Sequence, residues 1–117
     1  MSDLDVQQAL SLRYRTSLEA DSFTDQLRQS LGLDTKAQVA RLAIGRSLAM
    51  GKLLDGAVDS QGKDIPAMSL FSPENIGAWV GLLVSHSLTS GGAAIESMES
   101  LRAAIRSHWH QIGRAHV

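Results

Sequence analysis

The chain has 117 residues, 44% of them hydrophobic and 20% charged, with a net charge of −1 and no cysteine. That length matches one domain spanning residues 1–117, the composition supports a core rather than disorder, and the missing thiols exclude disulfides, cysteine nucleophiles and Cys-ligated zinc. Near-neutrality excludes the strongly basic proteins that coat nucleic acid, while the absence of a long apolar run and of a signal-peptide pattern in Met1 to Leu10 leads to an expected cytoplasmic location with no membrane partner.

Leu12 to Leu18 alternates apolar and polar residues, which predicts one half-buried strand with Leu12, Tyr14, Thr16 and Leu18 on one side and Arg13, Arg15 and Ser17 on the other. A lone strand has unpaired backbone on both edges, and other strand candidates are weak, so pairing with the same strand of a second copy is the simplest expectation. Asp21 or Ser22 is placed to cap a short helix carrying Phe23, Leu27 and Leu31 on one face and stopped by Gly32. Thr35 and Gln38 form a capping box, so a second helix starts near Lys36. Its residues Val39, Leu42, Ala43, Ile44, Leu48 and Met50 make a broad apolar face ending at Gly51, which predicts burial on more than one side, as at a subunit interface.

Asp55 to Pro66 reads as a surface loop with a tight turn at Gln61-Gly62. Ser72-Pro73-Glu74 opens a third helix with Ile76, Trp79, Val80, Leu83 and Val84 in its apolar stripe. After a break at Ser90-Gly91-Gly92, Ile95, Met98, Leu101, Ile105, Trp109 and Ile112 recur at helical spacing through a last helix. The expected fold is mainly α. A ribbon-helix-helix-like unit of one short strand and two helices covers about 11–51, and two further helices form an extension at about 66–113.

Strand, short helix, Gly turn and second helix is the order of a ribbon-helix-helix unit, whose paired strands lay side chains into a DNA groove. Arg13, Arg15 and Ser17 then become outward-facing DNA contacts, against the alternative that they are a solvated strand face. Lys36 lies at a helix opening, where free amides and the helix dipole favour phosphate. Arg28, Arg41 and Arg46 are further candidates, and Arg41, within the most apolar helix, is equally suited to a buried or interfacial hydrogen bond. His108 and His110 lie about 200° apart around a helix axis and cannot readily share a metal, so no metal site is expected and the histidines read as surface groups. Trp79 and Trp109 fall in step with apolar stripes and read as core. Arg102, Arg106, His108, His110 and Arg114 make the last helix the most basic segment, suited to DNA or to an acidic partner. No motif for catalysis is present and no cofactor is expected.

Thr24 to Leu48 resembles the most recognisable segment of the DndE family of DNA sulfur modification proteins. Leu27-Arg28, Gly32-Leu33, Arg41-Leu42-Ala43 and Ser47-Leu48 fill its pattern, although Leu31 stands where the family has threonine. The Gly turn from Asp59 to Lys63, Leu70-Phe71 and the closing Leu101 to Ile112 helix with His108 near its end are also similar. The resemblance implies a non-enzymatic, DNA-binding accessory subunit of bacterial DNA phosphorothioation, in which sulfur replaces a non-bridging phosphate oxygen through the work of other proteins. It implies a homo-oligomer, a tetramer, that engages duplex DNA, nicked duplex included, beside the other DNA sulfur modification proteins. With only three lysines and a negative net charge, the chain also fits a structural adaptor that scaffolds the modification complex, and the ribbon-helix-helix order fits a transcriptional regulator.

Overall fold

Local signals set where most of the helices begin and end. In the computed structural model, which describes residues 6–49, 60–89 and 94–111, six helices and two short strands follow one another as α1 (Val6–Ser11), β1 (Arg13–Tyr14), α2 (Leu18–Leu31), α3 (Lys36–Ala49), β2 (Ile65–Pro66), α4 (Ala67–Leu70), α5 (Ile76–Thr89) and α6 (Met98–His110). The mainly helical class is as expected. Met50, Gly51, most of the loop expected from Asp55, the break at Ser90 to Gly92, Ile112, Arg114 and His116 lie outside the described residues.

α2 ends at Gly32, whose φ of 69° is the left-handed conformation that glycine adopts without a Cβ penalty, and whose amide donates to the carbonyls of Arg28 and Gln29. The Thr35 hydroxyl accepts from the Gln38 amide at 3.3 Å while Gln38 Oε1 accepts from the amides of Asp34 and Thr35, which closes the capping box at the start of α3. Ser97 and Ser100 cap α6 reciprocally in the same manner. The Ser72 carbonyl accepts from the amides of Asn75 and Ile76, so the turn at Ser72-Pro73-Glu74 leads into α5, which begins at Ile76.

Three features differ from the sequence expectation. The predicted strand is only Arg13–Tyr14, and it pairs inside the chain with Ile65–Pro66 in antiparallel register, Arg13 opposite Pro66 and Tyr14 opposite Ile65. Alternation stops there because Ser17 is the N-cap of α2: its hydroxyl accepts from the Ala20 amide at 3.1 Å, so the helix starts earlier than at Asp21 or Ser22. Ser17 is consequently buried and Leu18 exposed, the reverse of the expected faces. The short helices α1 and α4 carry no periodic signal of their own and form where the core needs them.

That core is continuous from Ala9 to Trp109, with Tyr14, Ile44, Leu70, Phe71, Leu83, Leu101, Ile105 and Trp109 buried. Each large apolar side chain so buried contributes on the order of 1.5–3 kcal/mol. α6 is the central element, lying against α3, α5, α2 and β1, and α2 packs on α3. Phe71 joins two aromatic contacts, edge-on to Tyr14 at 6.2 Å and tilted on Trp79 at 5.2 Å. α3 has two apolar sides: Val39, Ala40, Ala43 and Ile44 face the core, and Leu42 is 59% exposed on the other.

Candidate functional site

The basic residues expected at DNA fall into different local circumstances. Arg13 and Arg15 both project from the β1 region and share one acid: Arg13 Nε donates to Asp64 Oδ2 at 2.6 Å, and Arg15 lies 4.0 Å from the same oxygen. The hydrogen bond from Arg13, with the charge of both arginines, holds the Asp64 carboxyl below its ordinary range. Both arginine side chains remain about half exposed. Two guanidiniums against one carboxylate leave this edge positive.

Lys36 is held between Asp21 and Asp25, forming an ion pair with the Asp21 carboxylate and lying 3.5 Å from Asp25. Asp21 Oδ2 also accepts from the Lys63 amide at 3.2 Å, so this lysine belongs to a structural junction between α2, α3 and the segment before β2. Arg41 Nη1 donates to the carbonyls of Ser69 and Leu70 at 3.0 and 3.3 Å, tying α3 to the end of α4. Arg28 lies in the last turn of α2 and Arg46 in the last turn of α3, where cations complement the helix dipole. The structure therefore brings together Arg13 with Arg15 and Arg41 with Arg46; Ser17 turns inward and Lys36 is ion-paired.

Arg41 and Arg46 belong to an open apolar groove of about 870 Å³ formed where α2 and α3 diverge beside α5, with Leu27, Leu31, Leu42 and Trp79 among its walls. Leu31 is 58% and Leu42 59% exposed. Isolated surface leucines are ordinary, but several converging on one concave face form a place where a protein partner gains by excluding water.

A row of buried hydrogen bonds lies on the other side of these helices. Thr16 Oγ1 donates to the Arg106 carbonyl at 3.1 Å, Ser17 Oγ lies 2.5 Å from His110 Nδ1, and Trp109 Nε1 donates to Thr24 Oγ1 at 2.9 Å. Thr24 in turn donates to the Ala20 carbonyl. Gln111 Nε2 donates to Ser47 Oγ at 2.9 Å, and the same hydroxyl lies 2.7 Å from His108 Nδ1 in a second hydrogen bond. The His86 ring stands edge-on to His108 with centroids 4.7 Å apart. Burial, with His86 adding to it, pushes His108 down to about 4.

His86, His108 and His110 are thus buried, not surface groups. The angular separation of His108 and His110 lets one reach Ser47 of α3 and the other Ser17 at the start of α2, because α6 is covered on both flanks. Spacing alone carried no sign of that. Among the described residues no three His, Asp or Glu side chains gather as a metal-ligand group, and no helix is long and apolar enough to cross a membrane. No family model, curated protein or solved structure matches the chain.

Proposed function

We propose that the chain is a non-enzymatic assembly subunit that associates with copies of itself through the α2–α3 groove, up to the tetramer that the DndE resemblance implies. Its setting is bacterial DNA phosphorothioation, where it scaffolds other DNA sulfur modification proteins beside duplex DNA. The observation that carries this reading is the exposure of Leu31 and Leu42 on one groove with Trp79. Burying such a groove against a second copy removes apolar surface from water, and closed symmetric homo-oligomers are the common outcome of self-complementary faces. Sedimentation of the purified protein tests it. The full chain sediments as an oligomer and Leu31→Arg with Leu42→Glu reduces it to monomer with the circular dichroism spectrum unchanged; a monomeric full chain at micromolar concentration, or an oligomer indifferent to both substitutions, overturns it.

Direct DNA binding is the second reading, favoured by the positive, half-exposed edge at Arg13 and Arg15. In a ribbon-helix-helix-like assembly β1, already paired with β2 on one edge, would offer its other edge to a second copy. The regulator alternative then requires specific operator binding. Phosphate neutralisation by these arginines makes binding steeply salt-dependent. Titration of intact, nicked and single-stranded DNA across a salt series should show duplex binding that Arg13→Ala with Arg15→Ala weakens at least tenfold and with a shallower salt slope. Unchanged affinity and slope remove the arginines from the contact.

A further inference from the structure

A second concavity, of about 490 Å³, opens between α1 and α6 and is lined by Gln8, Leu12, Met98, Glu99, Arg102 and Arg106. Arg102 and Arg106 stand one turn apart on α6, where side chains are neighbours and like charges repel. The ion pairs among the described residues are those of Arg13, Arg15 and Lys36; neither arginine of this pocket takes part in one. Glu99 lines the same pocket without pairing with either of them. Arg106 Nε is buried and has no hydrogen-bond partner. A buried guanidinium nitrogen without an acceptor is costly, and such a group in a native fold calls for an explanation.

We propose that this pocket is a binding site for a phosphate monoester bearing hydroxyl groups, of nucleoside monophosphate size, with Arg102 and Arg106 clasping the phosphate. Two guanidiniums on adjacent turns match the oxygens of one tetrahedral anion, which their terminal nitrogens can reach, and the anion removes their mutual repulsion. Glu99 then has a task that a simple phosphate site would not give it. A carboxylate beside the anion disfavours bare inorganic phosphate, and it accepts hydrogen bonds from sugar hydroxyls attached to the ester. Gln8 adds an amide from α1, and Leu12 and Met98 give the apolar wall against which a base or sugar face lies. The volume falls within the range of small-molecule sites. The same chemistry arises from a free ribonucleotide or from the phosphorylated 5′ end of a ribonucleotide strand. The site is separate from the groove and from the Arg13–Arg15 edge, so it stands or falls independently of the assembly reading.

The test is isothermal titration and amide NMR of the full chain with adenosine 5′-monophosphate, adenosine, inorganic phosphate and a 5′-phosphorylated hexauridylate, whose terminal ribose keeps its 2′-hydroxyl. Adenosine 5′-monophosphate should shift the signals of Gln8, Leu12 and Met98, with adenosine leaving them in place. Arg102→Gln, an exposed position that does not endanger the fold, should weaken binding at least tenfold, and Arg106→Gln at least as much. Glu99→Gln should lower the preference for adenosine 5′-monophosphate over inorganic phosphate. A hexauridylate that binds more tightly than the nucleotide assigns the source to strand ends, and the opposite order assigns it to free nucleotides; both support the site. Two outcomes overturn the proposal: neither phosphate monoester shifting those signals at millimolar concentration, or binding that survives Arg102→Gln unchanged. An unchanged preference in Glu99→Gln overturns recognition of the hydroxyls.

Discussion

Gly62 shows how one residue can be fixed by its neighbours and not by its own backbone. Its amide donates to the Thr16 carbonyl at 3.1 Å, which draws the segment before β2 against the start of α2. A Cβ placed there would stand 2.8 Å from Asp21 Cβ, 2.9 Å from the Ser17 carbonyl oxygen and 3.0 Å from that of Thr16. Two of those atoms are backbone and the third is the first carbon of a side chain held by Lys36 and the Lys63 amide, so none can yield cheaply. Gly62→Ala is therefore expected to lower stability by about 1–3 kcal/mol, the usual cost of overpacking a closed site. Urea denaturation measures it directly; a substitution that leaves the midpoint unmoved means the junction is looser than these distances. Composition marks Gln61-Gly62 as a tight turn, whereas the structure has only a bend at Gly62, and the reason for glycine there comes from residues some 40 positions away along the chain.

Elements with capping chemistry were legible, and elements fixed by tertiary contact were not. Gly32 and the Thr35–Gln38 box act within a few residues, so the end of α2 and the start of α3 were legible, the Ser72 turn announced α5, and the apolar stripe through Leu101, Ile105 and Trp109 revealed α6, whereas the start of α2 at Ser17 was not legible. Alternation from Leu12 to Leu18 announced β1 but overstated its length, β2 is two residues at the end of a stretch whose composition reads as loop, and their pairing across about 50 residues has no local signal. Of the candidate site, Arg13 and Arg15 were correctly expected to face outward, whereas the inward turn of Ser17 depends on its capping of α2 and its contact with His110. The tie between α2 and α6 is itself measurable. Thr24→Val keeps the shape but leaves the Trp109 indole N–H without its acceptor, which should cost roughly 1–3 kcal/mol. Trp109→Phe removes the donor, so in a double-mutant cycle the combined loss should fall short of the sum of the single losses by at least ~0.5 kcal/mol. Strict additivity means that the two helices are held by packing alone.

At the scale of the whole molecule, the buried His108 couples folding to pH. His108 is 3% exposed, and it meets Ser47 of α3 and the His86 ring of α5, so one imidazole of α6 touches two neighbouring helices around the centre of the fold. Burial raises the cost of charging this ring, and the neighbouring His86 adds to it. The folded chain consequently resists protonation until about pH 4, while the unfolded chain takes the proton near the ordinary value of 6.5. The unfolded state therefore binds more protons across this window. Stability from His108 is fully present above about pH 6.5 and falls as the pH drops towards 4, by roughly 3 kcal/mol in total. Asp64 acts in the same direction but only below its ordinary carboxylate range, and its exposed position makes it the weaker contributor, so the two effects occupy different parts of the acid limb. Denaturation midpoints measured from neutral pH to about pH 4.5 should decline, and His108→Gln, which keeps an acceptor for Ser47 but cannot titrate, should flatten that decline. A decline equally steep in His108→Gln would move the pH dependence to other groups. Since α3 carries the core on one face and the groove leucine Leu42 on the other, acid that loosens the α3–α6 contact should also dissociate the proposed oligomer before the chain unfolds, a sequence that sedimentation at stepped pH resolves.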